Sequence, residues 1–107
     1  MFRKSHDSGY KNVIDKIRRR TLAYGEKTLM AEFTMGIGAG IPEHSHPHEQ
    51  SGYLVSGRLE LAIGNEIHTA EPGDSWCIAG NVVHSAVALK DSVAIEVFSP
   101  VREDYLP

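Results

Sequence analysis

The chain predicts an all-β sandwich or barrel folded as a single domain, and three observations point that way. Turn-forming residues recur every eight to twelve positions or so, at Tyr24-Gly25, Gly36 to Gly40, Ser56-Gly57, Gly64-Asn65, Pro72-Gly73, Gly80-Asn81, Lys90-Asp91 and Ser99-Pro100. Segments between them alternate apolar and polar residues, the period of a half-buried strand. No segment sustains a helical period, Val13 to Arg20 being the one weak candidate.

Taken in order, residues 1–26 form an N-terminal segment, polar from Met1 to Tyr10, that is long enough to add a strand at a homodimer interface; residues 27–107 hold the barrel and a C-terminal tail. Lys27 to Ile37 places Leu29, Ala31, Phe33, Met35 and Ile37 on one face and Thr28, Glu32 and Thr34 on the other. Tyr53, Val55, Leu59, Leu61 and Ile63 mark the next extended stretch, with Tyr53 and Val55 read as core. Gly64-Asn65 then reads as a two-residue hairpin into Glu66 to Thr69. Ser75 to Ile78, His84 to Leu89 and Val93 to Phe98 complete the set.

At 107 residues the chain buries roughly two thirds of its unfolded surface, so oligomerisation would help it. Eleven basic against 14 acidic residues, net −3, argue against nucleic acid or an anionic membrane as partner. Arg18-Arg19-Arg20, the one basic run, reads as a solvated strand edge. The lone cysteine, Cys77, excludes an intramolecular disulfide, fits a reducing cytoplasm and is read as an inert buried thiol. No apolar stretch approaches the roughly 20 residues of a spanning helix, and the protein is expected to be cytoplasmic.

The chemistry concentrates in His44-Ser45-His46-Pro47-His48-Glu49-Gln50 and in His84. Three imidazoles and a side-chain amide are the ingredients of a metal site. Side chains two apart on a strand share a face, so His44 and His46 can grip one ion, and His84 from a distant strand closes the site with positions left for water or substrate. One divalent transition ion per chain is expected: zinc, nickel, iron or manganese. Imidazole does little to separate such ions. The competing reading is a barrel without a metal, its histidines serving as hydrogen-bonding groups of a loop. Pro47 bends the register at His48, which is read as a rim residue. His6 and His68 are read as solvated.

These residues resemble the cupins, small double-stranded β-helix or jelly-roll barrels, whose first motif is G-x5-H-x-H-x3,4-E-x6-G. Gly38, His44, His46 and Gly57 fit it, with Gln50 in the glutamate position. The second motif, G-x5-P-x-G-x2-H-x3-N, is matched by Gly73 and His84, while Ala79, Asn81 and Ala88 depart from it. Three neutral imidazoles and a neutral amide leave a divalent ion its full double charge, which suits a carboxylate or enolate substrate.

Tyr53-Leu54-Val55-Ser56-Gly57-Arg58, Val83 to Leu89 and the ending Val97-Phe98-Ser99-Pro100-Val101-Arg102-Glu103-Asp104-Tyr105-Leu106 carry a further resemblance, to the KdgF-type cupins of pectin and alginate breakdown. That resemblance implies metal-assisted ketonisation of a C4=C5 unsaturated uronate, a small acidic ligand and a homodimer. It also implies active-site roles for Glu96, in place of the group's aspartate, and for Phe98 and Arg102. A glutamate carries its acid one methylene further, a displacement that can cost roughly a hundredfold in rate. Alternation leaves Glu96 facing either water or the interior. Arg102 either clamps a substrate carboxylate or pairs with Glu103 or Asp104. Two other functions stay open: another metallocupin enzyme, such as a dioxygenase or polyketide cyclase, and a non-catalytic ligand-binding module.

Overall fold

The computed structural model describes residues 1–7 and 9–107. Among these, the strands are β1 (Lys11–Ile14), β2 (Ile17–Tyr24), β3 (Leu29–Met35), β4 (Gly40–His44), β5 (Glu49–Ser56), β6 (Leu59–Ile63), β7 (Glu66–Ala70), β8 (Ser75–Ile78), β9 (His84–Ala88) and β10 (Ser92–Ser99), and a single 3-10 turn spans Glu103–Tyr105. They make two antiparallel sheets, β1-β2-β3-β10-β5-β8 and β4-β9-β6-β7. The core lies between the sheets, as in a jelly roll.

Alternation builds the inner wall of the larger sheet. Leu29, Ala31, Phe33 and Met35 of β3 are buried, as are Ala94, Glu96 and Phe98 of the central strand β10 and Gln50 and Leu54 of β5. Leu59 and Leu61 of β6 and Ala88 of β9 face them from the smaller sheet. Gly57 ends β5 with φ 93°, where a Cβ would collide with the Ser92 side chain and the Asp91 carbonyl. This turn therefore demands glycine.

Several expectations are corrected. Val13 to Arg20 is not helical: it forms β1, a tight turn and part of β2. The N-terminal segment adds two strands to its own chain's sheet, β1 pairing with β2 and β2 with β3. Arg18 to Arg20 therefore lie on an inner strand. Arg20 pairs with Glu32 at 3.3 Å, and Arg19 lies 3.8 Å from the centre of the Tyr105 ring. Tyr53 and Val55 face outward at 49% and 48% exposure, because Gln50, Gly52 and Leu54 take the inward parity of β5. Ile37 lies beyond the end of β3 and is exposed. Cys77 is exposed, since its neighbours Trp76 and Ile78 turn inward on β8. The Gly64-Asn65 hairpin forms as expected, with Ile63 opposite Glu66.

Candidate metal centre and its cavity

His44 closes β4 directly opposite His84, which opens β9. The register slips between Ile41 and His44, so three steps along β4 match two along β9. That extra residue, at Pro42-Glu43, turns His44 toward His84, the re-aiming that a bulge performs beside a functional site. His46 does not share a strand with His44, because β4 ends before the Ser45 to His48 loop and Pro47 offers no N–H for a ladder. The loop is held from the other side instead. The Asn81 N–H donates to the His46 carbonyl at 2.7 Å, and Gly80 packs on the Pro47 backbone. Asn81 adopts φ 66°, a left-handed conformation that asparagine tolerates better than most side chains, at the position where the cupin pattern writes glycine.

One ring nitrogen from each of His44, His46 and His84 lies within 4.8 Å of the others. The opposite nitrogens are already committed. Nδ1 of His44 donates to the Pro42 carbonyl at 2.9 Å, Nδ1 of His46 to His48 at 3.1 Å, and Nδ1 of His84 to Val82 at 2.8 Å. These bonds fix the tautomer and leave each Nε2 with a lone pair aimed inward, the orientation a metal ligand needs. Burial, the first cause for both, pushes the His46 and His84 pKa values down, with Arg102 adding to it, which favours the neutral ligand form. His84 Nε2 is buried without a hydrogen-bond partner, and Gln50 Oε1 lies 3.0 Å from His46 Nε2. The donor set fits a divalent transition ion.

A cavity of about 250 Å3 adjoins the cluster, walled by His44, Gln50, Trp76, His84, Glu96, Phe98, Arg102 and Tyr105 among largely apolar neighbours. Glu96 points into it and is 7% exposed. Burial pushes its carboxyl up to about 7, against hydrogen bonding from Gln50 and Trp76 that favours the ionised form. Trp76 Nε1 and Glu96 Oε2 nevertheless remain without a well-formed bond. The Phe98 ring packs edge-on against His46, with centroids 5.8 Å apart. Arg102 lies over the Phe98 and Tyr105 rings, and Asp104 grips its Nε and Nη2 at 3.1 and 2.8 Å. Its position is thus both an ion pair and a cavity wall.

His48 sits beside His46, with ring centroids 5.5 Å apart, and contributes its carbonyl to the site. His6 and His68 are exposed and lie outside the cluster. Trp76, Gly52 and Tyr105 were not anticipated as site residues. The inward parity that Trp76 shares with Ile78 is the signal that would have found the first.

The chain belongs to the cupin family, whose cupin domain matches residues 31–99. Among solved structures it is similar to KdgF from Halomonas sp., at 32% identity and a TM-score of 0.94, over 99% of this chain and 98% of that one. An RmlC-like cupin from Shewanella frigidimarina superposes with a TM-score of 0.94 at 26% identity, over 98% and 95% of the two chains. No curated protein matches the sequence.

Proposed function

We propose that this protein is a metal-dependent isomerase that ketonises a C4=C5 unsaturated uronate or a similar enolisable acidic sugar. One observation carries the reading: the three-histidine cluster adjoins a cavity lined by an amide, a buried carboxyl and a guanidinium. The similarity to KdgF supports it. His44, His46, Gln50 and His84 would hold one divalent transition ion, which when bound supplies undiminished positive charge to an anionic oxygen.

The reaction is an isomerisation and needs no redox partner. Ring opening breaks the C1–O5 bond: the C1 hydroxyl loses its proton and becomes a carbonyl, while O5 keeps the bonding pair and takes up a proton in its place, leaving an enol at C5. Ketonisation then moves a proton: C4 gains one, and the enol O–H bond electrons form the C5 carbonyl. Glu96, partly protonated near neutral pH, gives C4 its proton and is reloaded from the enol hydroxyl through solvent. Arg102, held over the Phe98 and Tyr105 rings, presents its remaining N–H groups to the substrate carboxylate. Phe98 and the apolar lining raise the cost of ionising Glu96 and so hold part of it in the protonated form near neutral pH.

The test follows the ultraviolet absorbance of the conjugated double bond of an unsaturated galacturonate monomer. Metal-replete protein is expected to accelerate its loss, and both chelator and His44→Ala to abolish the acceleration. A metal-loaded protein that leaves the uncatalysed rate unchanged would sink the assignment.

A further inference from the structure

Two inward rows of residues cross the large sheet side by side. Register aligns Leu29, Phe98, Gln50 and Ile78 in one and Ala31, Glu96, Gly52 and Trp76 in the next. Gly52 is the gap that makes the second row work. A Cβ there would overlap the Trp76 indole and stand 2.5 Å from Glu96 Oε2. With only hydrogen at that point, the Glu96 carboxyl lies beside Trp76 and close enough to Gln50 for the amide to favour its ionised form.

Gln50 is buried and joins two different neighbours. Its oxygen faces His46 Nε2 at 3.0 Å. The His46 proton already resides on Nδ1, toward the His48 carbonyl, so Nε2 and the amide oxygen are both lone-pair acceptors. Two acceptors at that distance repel unless a cation lies near both. Rotating the amide would relieve the repulsion by turning its NH2 toward His46. The same rotation would set its oxygen against the Glu96 carboxyl, which repels it whenever that carboxyl is ionised.

We propose that Glu96 is a positioning residue for the metal site: by accepting the Gln50 amide N–H, it holds the Gln50 oxygen toward the three imidazoles. This rests on the metal reading above. Position 50 and position 96 then form one matched donor–acceptor pair, and glutamine stands where the cupin motif writes glutamate because an acid already occupies the adjoining row. A glutamate at 50 would face a second carboxyl with no N–H between them. Exchanging the two chemistries together would restore the pair in mirror image, with the carboxylate toward the ion and the amide behind it.

The test is a metal-affinity cycle on purified protein, with zinc or nickel measured in competition with a chromophoric chelator. Wild type, Gln50→Glu, Glu96→Gln and the double variant, all near-isosteric, are compared with Glu96→Ala. Glu96→Gln keeps an oxygen that can accept the Gln50 N–H and is expected to bind within about threefold of wild type, whereas Glu96→Ala removes the acceptor and is expected to weaken binding about tenfold, in the range seen when a ligand's orienting partner is lost. The double variant is expected to bind at least tenfold tighter than the product of the two single effects. Effects that multiply within about twofold would overturn the pairing while leaving the metal site intact. A wild type that binds neither ion would overturn both. A second readout needs no metal: Gln50 side-chain amide protons, followed by NMR, should exchange at least tenfold faster in Glu96→Ala, and unchanged exchange would refute the positioning role.

Discussion

Glu96 is the residue whose environment departs furthest from water. Folding raises its carboxyl from 4.5 to about 7, so between those values the folded state binds more protons than the unfolded chain. The contribution to stability is fully present below about pH 4.5 and is lost as the pH rises through 7. Glu96→Gln has no such titration, and the histidines are common to both proteins. In metal-free protein, the stability of wild type relative to Glu96→Gln is therefore expected to fall by roughly 2 to 3 kcal/mol between pH 5 and pH 8. Urea denaturation at the two pH values checks this, and a constant gap would rule out the buried, proton-holding carboxyl. At this scale the sequence identified His44, His46, Gln50, His84, Glu96, Phe98 and Arg102 as candidates, and all seven stand at one site. It left open which way Glu96 faces, because β10 carries apolar residues on both sides. Val93, Ile95 and Val97 are half-buried on the outer face, and only the sheet packing assigns the inner one.

Among the elements, the C-terminal tail does work that its length does not suggest. The 3-10 turn Glu103–Tyr105 is latched by the Thr21 hydroxyl, which donates to the Tyr105 carbonyl, and by Arg19 and Arg102, which contact the Tyr105 ring. Phe33 and Phe98 meet that ring edge-on, with centroids 6.2 and 5.3 Å away. These contacts hold the Arg102 wall of the cavity in place. Tyr105→Ala is expected to lower stability by about 1 to 3 kcal/mol, through lost burial and cation–π contacts, and to weaken substrate binding. Tyr105→Phe, which keeps the ring and the backbone carbonyl, should change stability by less than about 0.5 kcal/mol. Chemical denaturation of the pair decides it, and equal losses would mean that the hydroxyl, not the ring, carries the latch. None of this was visible in alternation, since the partners come from β2, β3, β10 and the tail. The same limit explains β5: Tyr53 and Val55 look like core by hydrophobicity, yet pairing with β10 and β8 puts Gln50, Gly52 and Leu54 on the inward face.

For the molecule as a whole, the barrel was legible because turn spacing and the Gly38 to Gly57 motif are local signals. The partition into sheets was not, since β5 and β6 follow one another in sequence but join different sheets. A radius of gyration of 13.1 Å is that of one compact domain of this length. In so small a unit, an ion held by the histidine cluster would contribute a large share of stability. Zinc or nickel at about a hundred times its dissociation constant should add about 2.7 kcal/mol, raising the melting temperature by about 10 to 20 °C. His84→Ala should melt at one temperature with or without the ion. Calorimetry tests both, and an unshifted wild-type transition would remove the metal from the account.

A ligand set drawn from both sheets would have a mechanical consequence. His44 and His84 belong to the smaller sheet, Gln50 to the larger, and His46 to the loop that joins them. An ion shared by all four would pin the two sheets together at one rim of the barrel while the opposite rim stayed unpinned. The molecule would then breathe like a clasped purse, stiff at the cavity mouth and compliant at the far seam.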